Sequence, residues 1–112
     1  MTTTDTLDRA RDSFARHAWA EAYAQLAALD RGSPLAPADL ERLATAAFLV
    51  GRDDHSAEAW ARAFQGWLRA GDAPRAARCA FWLGLKLLHR GELPRSGGWL
   101  ARGRRVLDDD HL

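Results

Sequence analysis

The sequence predicts an all-α fold of three stacked antiparallel helical hairpins, six helices forming an α-solenoid. Three observations carry this reading. Alanine, leucine and arginine dominate the 112 residues, and all are strong helix formers. Valine occurs only at Val50 and Val106 and isoleucine nowhere, which disfavours a sheet. Apolar residues recur three and four apart, the helical period, between short segments carrying glycine or proline.

The first helix is expected over residues 5–16, with Leu7, Ala10, Phe14 and Ala15 on one side. A break at His17-Ala18 leads to the second, over 19–29, whose inward set is Trp19, Ala22, Tyr23, Leu26 and Leu29. Asp30-Arg31-Gly32-Ser33-Pro34 supplies the glycine and proline that end it. Pro37 suits the first turn of the third helix, and Asp39 lies near its exposed N–H groups. Its face is Leu40, Leu43, Ala44, Ala47 and Phe48, and Gly51 stops it in the left-handed conformation. Asp54 or Ser56 caps the fourth, which is striped by Trp60, Ala63, Phe64, Trp67 and Leu68 and ends at Gly71. Asp72 caps the fifth and Pro74 fits its first turn; Ala77, Ala80, Phe81, Leu83, Gly84, Leu87 and Leu88 follow, and Gly91 closes it. The sixth begins near Pro94 and carries Trp99, Leu100, Val106 and Leu107. Gly97-Gly98 weakens its first turns by about 1 kcal/mol per glycine. An acidic tail, 108–112, ends the chain.

Short connections make successive helices antiparallel neighbours. The turns at His17, Gly51 and Gly91 are 34 and 40 residues apart. Leu43-Ala44 and Leu83-Gly84 stand eight and seven residues before their turns, while Ser56, Trp60 and Ala63 match Ser96, Leu100 and Gly103 after them. Helices approach closely only where side chains are small, so Ala44 is expected to face Ser56 and Gly84 to face Ser96. The unit Ala80-Phe81-Trp82-Leu83-Gly84, Gly91-Glu92-Leu93, then Ser96, Leu100 and Gly103 resembles the tetratricopeptide repeat. His17 departs from the usual turn glycine and Gly103 from the usual alanine. The resemblance gives one domain, 1–112, with repeats at about 5–32, 37–71 and 73–107. More narrowly, three runs are similar to the helical repeat region of actinobacterial LuxR-type transcriptional regulators and related signalling proteins. They are Pro37-Ala38-Asp39-Leu40-Glu41-Arg42-Leu43-Ala44, the segment from Ala73 to Gly84, and Arg90-Gly91-Glu92-Leu93. That resemblance implies an interaction or sensory region, and a fragment or stand-alone relative, because the regulators' C-terminal helix-turn-helix has no counterpart in this sequence.

Charge is unevenly placed. Residues 1–71 carry a net −2 and residues 72–107 a net +6, with Asp108 to Asp110 returning the total to +1. The basic third motivates a nucleic-acid adaptor, yet no recognition-helix unit accompanies it, and direct nucleic-acid binding is disfavoured. The sequence has no nucleophile elbow, phosphate loop or dinucleotide turn. Cys79 is single, and His17, His55, His89 and His111 lack metal-site spacing. No enzyme activity, metal or cofactor is expected. No stretch approaches 18 apolar residues and the start lacks a secretory signal, so a cytoplasmic protein without a membrane span is expected.

The functional expectation is a regulatory module that binds a protein or peptide on the inner wall formed by the first helix of each hairpin. That wall would present Leu7, Arg11 and Phe14, then Glu41, Thr45 and Phe48, then Arg78, Phe81, Leu85, Leu88 and His89. The chosen partner-binding set is Arg78, Phe81, Leu85, His89, Glu41, Thr45 and Phe48. The alternative is a structural or homo-oligomerising segment of a larger regulator.

Overall fold

The computed structural model describes residues 2–110. It contains six α-helices: α1 Thr3–Ala15, α2 Trp19–Gly32, α3 Pro37–Leu49, α4 Asp53–Arg69, α5 Ala73–His89 and α6 Leu93–Asp110. No strand occurs among the described residues, as expected for an all-α fold of helical hairpins. The chain divides into two compact units, Met1–Ala59 and Trp60–Leu112.

Four turns share one mechanism. After α1, α3, α4 and α5 the chain passes through a residue of positive φ: His17 (61°), Gly51 (83°), Gly71 (77°) and Gly91 (79°). At each, that residue's N–H donates three residues back and the next N–H donates five back. The longer bonds are Ala18 to Ser13, Arg52 to Ala47, Asp72 to Trp67 and Glu92 to Leu87. This paired closure satisfies carbonyls that a helix end leaves open, and it selects glycine because the left-handed region is strained for other residues. His17 takes that place without being glycine; its ring stacks on Trp19 at 5.0 Å and 14°.

In the first unit, Thr2 and Asp5 form a capping box on α1. Ala10, Ser13, Ala22, Leu26 and Ala27 are buried between the helices, and α3 packs on both α1 and α2. Asp39, the third residue of α3, is 1% exposed. It accepts two hydrogen bonds from Arg11, at 3.0 and 2.8 Å, and one from Arg42 at 2.9 Å. Burial pushes the Asp39 carboxyl upward, but the hydrogen bonds and charges of Arg11 and Arg42 outweigh it and hold the group below its ordinary value. Ser56 Oγ donates to the Ala44 carbonyl at 2.7 Å, fixing the start of α4 against α3.

In the second unit Asp72 caps α5 by accepting from the Arg75 N–H at 3.1 Å. Ala76, Ala77, Cys79, Ala80, Leu83, Gly84 and Leu87 form the buried face of α5, against which α6 packs. Ser96 Oγ donates to the Gly84 carbonyl at 2.8 Å. A Cβ on Gly84 would stand 2.7 Å from Leu100 Cδ2, so any side chain there would have to push the Leu100 side chain aside. Phe64 meets Trp99 edge-on at 5.4 Å.

Several local expectations are corrected. α2 continues through Asp30-Arg31-Gly32, because Gly32 does not adopt positive φ and the Ser33 N–H still bonds back to Leu29. Ser56 is buried in a helix–helix contact and does not cap α4, which starts at Asp53. Asp39 faces Arg11 and not merely the helix N-terminus. Gly97 and Gly98 lie within α6, and Asp108 to Asp110 close that helix where a tail was expected; His111 and Leu112 lie outside the described residues. Ala15, Phe48, Leu68 and Leu88 are exposed, although the apolar stripes included them.

Candidate interaction surface

The α5 sequence is apolar around more of its circumference than one neighbouring helix can cover. Leu83, Gly84 and Leu87 turn inward at 2% exposure or less for the two leucines. On the adjoining side, Pro74, Ala77, Arg78, Phe81, Trp82 and Leu85 recur at helical spacing and, with Leu107 of α6, line an open recess of about 260 Å³. Its apolar members include side chains well exposed to water, Trp82 at 47% and Leu85 at 43%.

Phe81 is positioned by what α6 lacks. Its Cε1 lies 3.2 Å from where a Cβ on Gly103 would stand, and Ala80 Cβ lies 3.1 Å from the same point. The glycine therefore admits the ring edge to the α6 backbone, leaving Phe81 half-buried with its remaining surface in the recess. Trp82 carries the Lys86 ammonium 5.7 Å from its ring centroid. This contact makes the outer margin cationic as well as apolar.

Of the sequence-derived set, Arg78, Phe81 and Leu85 come together in this recess. His89 is exposed one turn beyond Leu85 and is not part of the lining. In the first unit, Glu41 and Thr45 are half-buried and Phe48 is exposed. Thr45 Oγ1 donates back to the Glu41 carbonyl at 2.9 Å, so its hydroxyl is engaged within α3. Arg11 is held by Asp39 and joins α1 to α3. Trp82 and Leu107 are recess residues that the chosen set omitted. Trp82 sits one position after Phe81 and four before Lys86, a spacing that places it on the same broad face.

A larger groove, about 580 Å³, lies between α1 and α2 and was not anticipated. Thr6, Ala24, Gln25, Ala28, Leu29 and Gly32 are among its lining, the small residues of α2 recurring every fourth position. Gln25 Oε1 is buried without a hydrogen-bond partner among the described residues.

No group of three or more histidine, cysteine, aspartate or glutamate side chains suited to a metal occurs among the described residues. No described helix is long and apolar enough to cross a membrane. Set against protein-family models, curated proteins and solved structures, the chain matches none of them.

Proposed function

We propose that the chain is a non-enzymatic protein- or peptide-interaction module of the tetratricopeptide-repeat kind, acting in regulation in the cytoplasm, with Arg78, Phe81 and Leu85 as its partner-binding core. The observation that carries this reading is the recess itself. Phe81, Trp82, Leu85 and Leu107 gather apolar surface in one place, and Arg78 stands among them. Contiguous exposed apolar surface beside a charge is the usual character of a binding surface, with aromatic and arginine side chains supplying most of the energy. The similarity of the Pro37–Ala44 and Ala73–Gly84 segments to LuxR-type regulators favours a role within a transcriptional regulator, with DNA contact left to another domain.

The reading is tested by selecting peptides on the full chain and mapping the bound region by chemical-shift changes. Arg78→Ala and Leu85→Ala should each weaken a selected peptide by more than about 1 kcal/mol at little cost in stability. Leu83→Ala should mainly destabilise the fold. Unchanged affinity in both recess variants rejects the site.

A further inference from the structure

We propose that α2 carries a contact surface for a second copy of this chain, the two α2 helices packing antiparallel about a two-fold axis that passes between Ala24 and Ala28. The inference concerns the α1–α2 face and does not rest on the α5–α6 recess.

The sequence of α2 is its own complement about position 26. Ala24 and Ala28 stand two residues either side of that centre, Glu21 and Arg31 five, and Ala20 and Gly32 six. All six are exposed and share the side of the helix turned away from the buried Ala22 and Leu26. Ala20, Ala24, Ala28 and Gly32 form one row at four-residue spacing. A row with nothing larger than a methyl lets a second backbone come close, and two such rows interlock with the helices inclined at about 50°.

Charge selects both the occupant and its direction. In the antiparallel arrangement Glu21 of each copy faces Arg31 of the other, so one helix supplies both members of two identical ion pairs. A parallel arrangement would set like charges together. Arg31 is exposed and has no ion-pair partner among the described residues. Glu21 lies 3.9 Å from Arg16, whose closer bond, 2.8 Å, goes to Asp12. A carboxylate has acceptor sites for a second guanidinium, as Asp39 shows by accepting from both Arg11 and Arg42. The third charged group of α2, Asp30, accepts from the Leu35 N–H at 3.1 Å. On α1, Asp5 belongs to the cap and Asp8 lies 3.5 Å from Arg11. Arg9 is exposed one turn beyond Thr6 and adds a cation to the α1 flank.

An unanswered polar group stands beside the same row. Ala24, Ala28 and Gly32 line the groove of about 580 Å³ together with Gln25, whose buried Oε1 has no donor among the described residues. Gln25 is one turn on from Glu21. Arginine carries five N–H donors, so Arg31 of the second copy can serve Glu21 and Gln25 together. A single helix face is a small interface, and a weak dimer with Kd on the order of 10–100 μM is expected.

The test is sedimentation equilibrium of the full chain from about 10 μM to about 1 mM at about 0.15 M salt, with chemical shifts followed on dilution. Dimerisation should move the amides of Ala24 and Ala28. Glu21→Arg and Arg31→Glu should each weaken it at least about tenfold, because each reversal turns two attractions into two repulsions. Mixing these two variants should restore association, since every facing pair is then opposite in charge. Ala28→Gln should abolish it; all three side chains are exposed, and unchanged melting at low concentration confirms intact folding. A chain that stays monomeric at about 1 mM overturns the inference. So does association that survives both reversals, or a mixture no tighter than either variant alone. Dilution shifts centred on Phe81 and Leu85 overturn it in favour of the recess as the self-contact. Peptide selection at the recess reports on the interaction module separately, and neither result decides the other.

Discussion

Hairpins α1–α2 and α5–α6 reverse the chain with the same two backbone bonds, around His17 and around Gly91. Seven residues before the turn and five after it, the first has Ala10 and Ala22, both fully buried, and the second has Gly84 and Ser96. The second hairpin therefore gains a hydroxyl-to-carbonyl bond and a crossing at which an added Cβ would displace the Leu100 side chain. The first relies on an aspartate in α3, which binds Arg11 and draws a third helix onto the pair. One hairpin is thus tied to a neighbour by charge, while the other is closed by close packing and keeps apolar surface open to water. A turn geometry fixes how two helices begin to pack, and the residues one to two turns away determine what a third helix meets.

The sharpest way to break this contrast is Gly84→Leu, which should cost about 3 kcal/mol because Leu100 already fills the space a side chain would need. Ala10→Gly, at the matching place in α1, should cost only about 1 kcal/mol through helix propensity. Urea denaturation giving no loss for Gly84→Leu would show that the second crossing has room for a side chain.

Next in size is Asp39→Asn, for which a loss of about 2 kcal/mol at neutral pH is expected from the weakened charge-assisted bonds; Arg11 and Arg42 are part-exposed and can be rehydrated. The folded-state value of Asp39 lies below its ordinary 3.8, so its contribution is complete above about pH 5 and fades as pH falls through the ordinary and then the lowered value. The variant should therefore lose less stability than the native chain between about pH 5 and pH 2. Parallel losses would remove the ion pair from the account of the first hairpin.

Ser96→Ala should cost about 1 kcal/mol, the net worth of one buried hydrogen bond, because the Gly84 carbonyl sits within a helix. The smallest change has the opposite sign. Gly98→Ala should stabilise α6 by up to about 1 kcal/mol, since nothing lies within 4 Å of the added Cβ. A loss on calorimetry would mean that the outer face of α6 needs its glycines.

These differences were unequally legible in the sequence. Helical period and the Gly51, Gly71 and Gly91 stops located the elements, since each acts within one turn of chain. The pairs Ala44/Ser56 and Gly84/Ser96 were legible because repetition aligned them, although their hydrogen bonds were not: a small residue announces proximity, not a donor. Asp39 was misjudged because its partner Arg11 is 28 residues away, and local helix-end chemistry gave a sufficient reason for an aspartate there. Arg78, Phe81 and Leu85 were found by spacing on one helix. Leu107 was missed as a companion because only the packing of α6 onto α5 brings it alongside.

The recurring turn has a kinetic consequence. Each paired bond closes over only six residues, and the contacts it sets in place join helices that follow one another in the chain. Little loop-closure entropy separates an unfolded segment from its hairpin, so contact order is low and folding is expected within microseconds to milliseconds. His17 makes one of these nuclei different: an imidazole in the left-handed region resists the first reversal that a glycine accepts freely. The hairpins that turn at glycine are therefore expected to order more readily than α1–α2, and amide protons of α5 should outlast those of α1 during hydrogen exchange.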